Sequence, residues 1–300
     1  MKNHPDLIHN SDQKEAREKR PFSLTRRQFI KLSTSALVGV GLAAGGYASL
    51  LEPKMLEVTR VSLQQKRLPD AFDGIKIAHF SDLHLGFHTN ADDVKRLVSV
   101  INRERPDLIC FTGDMVDGPA EDMVEAVAPL SKLQAPLGVL SIVGNHDFEN
   151  MKRLIALQKR AGFTVLRNEN VILERNGSRM AVVGLDDWLL GKPNPDRARR
   201  GIPQNMYTLL LMHEPDYAGL ASEHPFDLQL SGHSHGGQIR LPWVGEVITP
   251  PGSKMYIKGL YKIGDRDLRL YVNRGIGTTR LPFRFLCKPE LTILTLNNRV

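Results

Sequence analysis

The sequence predicts an α/β fold: a four-layer α/β/β/α sandwich of two packed mixed sheets flanked by helices. Two observations carry this. From residue 75 the first half alternates short apolar runs with segments of helical spacing, the pattern of buried strands between helices. The second half holds many short apolar runs with few helices between them, which calls for a second sheet.

The elements follow in order. Residues 55–63, MLEVTRVSL, read as a strand ahead of the main fold. Ile75–Phe80 is an apolar run ending in Ser-Asp. Ala91–Glu104 places Val94, Leu97, Val98 and Ile101 at helical spacing. Leu108–Thr112 is a second run, ending in Gly-Asp, and Ala120–Leu133 is a second helix. Val139–Val143 runs into Gly-Asn-His-Asp, and Phe148–Ala161 is a third helix. Further strands are expected at Val171–Glu174, Met180–Val183, Leu209–Met212, Leu228–Leu230, Arg269–Val272 and Leu291–Leu296. The body contains neither an internal repeat nor a low-complexity segment.

Composition narrows the function classes. The net charge is +7 over 300 residues. Residues 1–60 hold ten Lys/Arg against six Asp/Glu, so much of the basicity belongs to the leader. A weakly positive body suits anionic substrates or a membrane surface, not the dense basic stripe of a nucleic-acid protein. Cys110 and Cys287 form no CxxC pair, so neither a disulfide framework nor a zinc knuckle is indicated. Cys110, inside DLICFTGD, reads as a small buried hydrophobe.

The leader has three parts. Residues 1–21 are charged and read as disordered. Residues 22–51 begin with Thr25-Arg26-Arg27-Gln28-Phe29-Ile30-Lys31 and continue without charge from Leu32 to Leu51. A positive segment before a mildly apolar one is an export layout, and the paired arginines resemble a twin-arginine translocation signal, which carries folded proteins. The same stretch is long enough to span a bilayer. Gly46-Tyr47-Ala48 offers a weak cleavage site, so the leader is either an anchor or a removed signal. Residues 52–71 form a linker and first strand, and 72–300 form the catalytic domain.

The chemistry sits at strand ends, the edge where open α/β sheets bind ligands. The blocks are Asp82-Leu83-His84, Gly113-Asp114, Gly144-Asn145-His146-Asp147, His213 after LLLM, and Gly232-His233-Ser234-His235. Residues two apart at a strand end point the same way, so Asp82 and His84 are candidates to grip one metal. Taken alone, the Asp82/His84 and His233/His235 pairs are better explained as surface polar and capping residues. Five successive strand ends delivering Asp, Asn or His beside glycine or a short loop are not.

In that order the blocks resemble the calcineurin-like metallophosphoesterase family over roughly residues 72–300. The leader, FDGIKIAHFSDLHLG, GHSHGGQ and RLPFRFLCKPELTI resemble its exported bacterial branch. The resemblance implies a dimetal site at the strand C-terminal ends. Asp82, His84 and His235 would bind one ion, Asn145, His213 and His233 the other, and Asp114 would bridge them. His146 would face the substrate, oriented by Asp147. Imidazole and carboxylate ligands suit Mn, with Fe, Zn or Co as alternatives, over Mg or Ca. Two such ions acidify a shared water and clamp attacking and leaving oxygens.

The expected enzyme is a phosphodiesterase or pyrophosphatase acting on a cell-envelope or lipid-linked phosphate ester. The alternative is a UDP-2,3-diacylglucosamine-type pyrophosphatase, and a minor one is a non-catalytic scaffold on the same fold. Expected partners are the substrate, the twin-arginine machinery and a membrane surface, with the chain a monomer. Secondary candidates are Asp186-Asp187-Trp188, as cleft lining or a capped turn, Arg240, with Gln238 on an expected strand, as a phosphate contact or surface group, and His224, as structural or solvated. Arg274, Arg280 and Arg284 with Phe283 and Phe285 form either a membrane-facing cluster or a solvated face.

Overall fold

The computed structural model describes residues 24–264 and 268–298, so the charged segment 1–21 lies outside the described residues. By internal contacts the chain divides into two units, Met1–Ala44 and Gly45–Val300. The first holds most of helix α1 (Arg26–Gly46). The stretch Arg26–Lys54 is, among the described residues, the one helical segment long and apolar enough to cross a membrane.

The second unit is built on two six-stranded mixed sheets. Its strands are β1 (Glu57–Gln64), β2 (Ile75–Phe80), β3 (Leu108–Thr112), β4 (Val139–Ile142), β5 (Thr164–Val165), β6 (Glu169–Arg175), β7 (Ser178–Gly184), β8 (Thr208–Leu211), β9 (Leu228–Ser231), β10 (Arg240–Leu241), β11 (Gly245–Glu246), β12 (Gly259–Ile263), β13 (Leu268–Val272) and β14 (Glu290–Asn297). Sheet one runs β1-β14-β2-β3-β4-β5, and sheet two runs β12-β13-β9-β8-β7-β6. β2 to β5 are parallel, as are β7, β8, β9 and β13. β10 and β11 form a separate hairpin. β1, the strand expected at residues 55–63, pairs with β14 along its full length, Glu57 opposite Glu290 through Gln64 opposite Asn297.

Strand alternation explains the layering. Ile75 and Ile77 of β2, with Leu108 and Cys110 of β3, face sheet two and meet Met180, Val182, Leu209, Leu211, Leu228 and Leu230. The intervening Ala78, Phe80, Ile109 and Phe111 face outward onto helices α2 (Ala91–Glu104) and, after the single turn α3 (Val127–Leu130), α4 (Met151–Arg160). The outer face of sheet two buries Val183, Leu210 and Leu270 under Tyr217, Ala218 and Phe226. The architecture is the four-layer sandwich the sequence predicts. α2 starts where Asn90 accepts from the Asp92 and Asp93 amides while Asp93 accepts from Asn90 N–H, a reciprocal cap.

Two helices differ from expectation. Ala120–Leu133 is mainly 3₁₀ (Ala120–Ala126) followed by α3. Pro129 lacks the amide that a continuous α-helix would donate to the turn before it, so the helical ladder is interrupted there. The segment expected as a helix from Phe148 starts α4 only at Met151, because Asn145–Phe148 is a 3₁₀ turn.

Candidate metal centre

All the sequence-predicted site residues come together where loops leave β2, β3, β4, β8 and β9. Asp82, His84 and His235 present donor atoms within 4.8 Å of one another, as do Asp114, His213 and His233, and His84, Asp114 and His146. His84 Nε2 lies 3.0 Å from His235 Nε2 and 3.6 Å from Asp114 Oδ2. Asp114 Oδ2 is 3.2 Å from His213 Nε2, and His213 Nε2 is 3.2 Å from His233 Nδ1. Asp114 therefore stands between the two groups. The convergence spans both sheets: Asp82, His84, Asp114 and Asn145 follow strands of sheet one, and His213, His233 and His235 follow strands of sheet two.

The local reason is not simple strand alternation. Asp82 and His84 lie beyond the end of β2, and both hold positive φ, 54° and 46°. Asp114 (58°), His233 (66°) and His235 (50°) do the same. Side chains other than glycine rarely adopt this region. The surrounding hydrogen bonds hold them there. His84 N–H donates to Asp114 O, Asp82 N–H to Gly113 O, and Gly277 N–H to Asp82 O. The glycines make room: a Cβ at Gly144 would collide with Asp114 Oδ1 and come within 2.7 Å of His213 Nε2.

Asp147 is fully engaged with backbone. Its Oδ2 accepts from Asp114 N–H (3.0 Å) and Gly144 N–H (2.9 Å), and its Oδ1 from Met115 N–H (2.8 Å) and Val116 N–H (3.3 Å). It does not orient the His146 ring, contrary to expectation. A carboxylate with four amides converging on it has no lone pair aimed at an imidazole. The group beside that ring is Asp117, which the sequence reading passed over. The His146 Nδ1 lies 3.2 Å from the Asp117 carbonyl and 3.6 Å from its Oδ1. Asp117 Oδ1 is also 2.8 Å from His84 Nδ1 and accepts from Thr279 Oγ1–H at 2.9 Å. The only sequence signal was a second aspartate three residues after Asp114.

The electrostatics suit cation binding. Burial alone would raise the Asp114 carboxyl, but the His213, His84 and His146 imidazoles outweigh it and hold it well below the usual range. Burial would lower His213, yet Asp114 and Asp82 raise it well above its ordinary value. Burial, with His213 nearby, pushes His233 down to about 3, and burial with His84 and Arg284 holds His235 well below its ordinary value. Neutral imidazoles are the ligating form, which burial favours at His233 and His235; at His213 the two carboxylates favour positive charge, which a cation would supply in place of the proton. Asn145 Oδ1 is buried without a protein hydrogen-bond partner, a cost that a cation removes. Four imidazoles, two carboxylates and one amide oxygen fit two borderline divalent ions.

The secondary candidates resolve individually. Asp186 binds Arg167 at 2.7 Å and Lys192 N–H, Asp187 accepts from Leu190 N–H, and Trp188 packs edge-on to Tyr217, so this is a capped turn. Arg240 pairs with Glu246 at 3.0 Å. Arg284 is fully buried and donates to the carbonyls of Gly277, Cys287 and Arg274. Arg274 pairs with Glu290 and Glu57. Two of the three expected arginines are thus internal, because the Arg274 and Arg284 guanidiniums satisfy carboxylate and backbone oxygens left by the turns around them, while Arg280 is exposed.

Beside the donors opens a cavity of about 270 Å³ lined by Asp114, Asn145, His146, His233 and His235, with Leu189, Ile239, Ile248, Pro250, Pro251, Arg280 and Leu281 among the other walls.

Comparison with known proteins agrees with this geometry. Residues 75–237 match the family model for the calcineurin-like phosphoesterase. The chain is 44% identical over 283 residues to the uncharacterized metallophosphoesterase YkuE of Bacillus subtilis, covering 92% of this chain and 98% of that one. It is 31% identical over 281 residues to the phosphodiesterase YaeI of Escherichia coli, covering 91% and 99%. It is 26% identical over 321 residues to the UDP-2,3-diacylglucosamine pyrophosphatase LpxG of Chlamydia trachomatis, covering 88% and 96%. With its fold, its convergent donors and these relatives, the chain belongs to the calcineurin-like phosphoesterase family and is a hydrolase of phosphoric ester bonds.

Proposed function

We propose that this cleft hydrolyses a phosphodiester or pyrophosphate of a cell-envelope or lipid-linked substrate. The observation that carries this is the meeting of donors from both sheets around Asp114, at the floor of a cavity with apolar walls. Asp82, His84 and His235 would hold one divalent ion and Asn145, His213 and His233 the other, with Asp114 between the two groups and manganese the proposed native metal. Bound there, such ions would supply positive charge to phosphate oxygens and lower the pKa of a water.

The chain's own groups do the rest. The Asp147 carboxylate fixes the Asp114 loop through four amides. His146 lines the cavity, and its Nδ1 is turned toward Asp117. Its other ring nitrogen, Nε2, is left to donate to the leaving oxygen when the ring is doubly protonated, with Asp117 as counter-charge. The apolar walls accommodate acyl or isoprenoid parts of a substrate.

A UDP-2,3-diacylglucosamine-type diphosphate is a second reading, favoured by the similarity to LpxG. The leader supports location: we read it as a twin-arginine signal retained as an anchor. Residues past α1 are built into the body, with Glu52 buried and accepting from Leu286 and Cys287 amides. Arg26→Lys with Arg27→Lys is expected to hold the chain in the cytoplasm, and continued export defeats the twin-arginine reading.

Purified protein with Mn²⁺ is expected to cleave bis-p-nitrophenyl phosphate, and a lipid and nucleotide-sugar panel to identify the preferred ester. Hydrolysis that persists after both chelation and His146→Ala would overturn the mechanism.

A further inference from the structure

The cavity is bordered by a hairpin that the phosphoesterase chemistry does not use. β10 and β11 enclose Pro242, Trp243 and Val244. Trp243 is wholly exposed, at 101%, and Val244 is 72% exposed. Leu241, Val247 and Ile248 on the same hairpin are exposed as well. The ribbon is held in shape by the Arg240–Glu246 pair and by Val247 N–H donating to Ile239 O. Its base, Gly237 to Ile239 and Ile248, walls the cavity beside His233 and His235. Across the mouth stand Leu189 and Leu281, both exposed, with Leu190 exposed next to Leu189. So large an apolar crest in water marks an interaction surface.

Two features select the occupant. The first is continuity with the chain leaving α1. Ala48 O accepts from Arg284 N–H, and Tyr47 packs edge-on to Phe285. Phe285 bridges to Ile239, with Arg240 N–H donating to Phe285 O and Phe285 N–H to Gln238 O. The hairpin therefore starts about two strand spacings, ~10 Å, from the point where the body receives the apolar segment Arg26–Lys54. If that segment lies in a bilayer, its surface is within reach of the crest. The second feature is chemical. Tryptophan prefers the membrane–water interface, and exposed Arg280 at the cavity wall and Lys254 beside Thr249 offer cations for headgroup phosphates.

We infer that the Trp243 hairpin docks on an anionic lipid bilayer and seats the mouth of the cleft against it. A lipid-borne phosphate ester then reaches the cavity by lateral movement, its acyl part still in the membrane. This rests on the reading of the cleft as a phosphoesterase for lipid-linked esters, and it adds the route of entry.

The test uses the full-length chain reconstituted in phosphatidylcholine–phosphatidylglycerol vesicles. Trp188→Phe leaves Trp243 as the single tryptophan, since the sequence has 2. Its emission is expected to shift to shorter wavelength and to lose at least half its intensity with brominated acyl chains. Water-like, unquenched emission overturns the inference. So does a shift that appears without lipid and grows with protein concentration, which would make the occupant a second copy. In a separate arm, Trp243→Ser with Val244→Ser is expected to leave bis-p-nitrophenyl phosphate hydrolysis unchanged. Hydrolysis of a phosphodiester embedded in the same vesicles is expected to fall about tenfold. Equal losses on both substrates assign the hairpin to the cleft instead and overturn the docking. The quenching is read whether or not the enzyme turns over, so a wild-type chain that cleaves nothing defeats the catalytic reading separately.

Discussion

Asp82, His84, Asp114, His233 and His235 each occupy the left-handed backbone region, at a cost of roughly 1–3 kcal/mol apiece. Such strain persists only where neighbours over-determine it, and Asp147 is the clearest restraint. Removing its carboxylate leaves four amide donors around the Asp114 loop without their acceptor. Asp147→Ala is expected to lose about 3 kcal/mol of stability and to bind less metal per chain, measured by denaturant unfolding and elemental analysis. His146→Ala should leave both quantities intact and lower kcat about 10²–10³-fold. If the two variants behave alike, the roles assigned to these neighbours are wrong. Gly144→Ala tests the crowding directly. Its Cβ pushes on Asp114 and His213, and metal content is expected to fall with little change in the circular dichroism of the sheets.

A second residue-scale prediction concerns acid. Burial alone would raise Glu290, but Arg274 outweighs it and holds the carboxyl below its ordinary value. Its Oε2 accepts from the Arg274 amide and guanidinium at 3.0 Å, and its Oε1 from the Tyr271 hydroxyl at 2.8 Å. A lowered carboxyl pKa contributes stability above the unfolded value, ~4.3, and loses it as pH falls through the folded value. Glu290→Gln is therefore expected to cost about 3 kcal/mol at pH 7. The gap to wild type should narrow on acidification below about pH 4.3. A gap that is constant with pH would assign the loss to shape and not to charge.

At the scale of elements, the segment after α1 carries a test of its own. Glu52 is fully buried, and its carboxylate accepts from Leu286 and Cys287 N–H. Glu52→Ala leaves both donors unpaired, at about 2 kcal/mol, and faster amide exchange confined to residues 284–288 is the expected signature. This contact also shows what the sequence could carry. The sandwich was readable because strand residues such as Ile75, Ile77, Ala78 and Phe80 bury both faces of β2, which leaves a continuous apolar run. The donor blocks were readable because the short motifs fall at the ends of such runs. What escaped were features set by partners distant in sequence. Asp117 matters through His84, His146 and Thr279, and Arg284 is buried because three backbone carbonyls, of Gly277, Cys287 and Arg274, face it. β5, β11 and β12 were missed because their short or half-exposed runs have no apolar signature.

At the scale of the whole molecule, the cleft joins the two sheets a second time. The first junction is the apolar layer between them, where Ile77, Cys110 and Ile142 meet Met180, Val182 and Leu209. The second is the donor set, divided between loops of sheet one and loops of sheet two. A cation held by both sides binds only the folded arrangement, so it stabilises the body as one unit. At a hundredfold excess over Kd the gain is about 2.7 kcal/mol per site, or roughly 5–10 °C in Tm for a body of this size. Chelation, which removes both ions, is expected to lower Tm by about twice that amount in a single cooperative transition. Asp82→Ala removes a donor from sheet one, and His213→Ala one from sheet two. Each should forfeit most of the metal-dependent shift, although the two residues lie 131 positions apart in sequence. Asp114→Asn, altered between the two groups, should forfeit more than either. Calorimetry with and without Mn²⁺ on the three variants decides it. A metal-dependent shift that survives Asp82→Ala but not His213→Ala would mean that sheet two holds the cation unaided, and the cleft would then not be a junction.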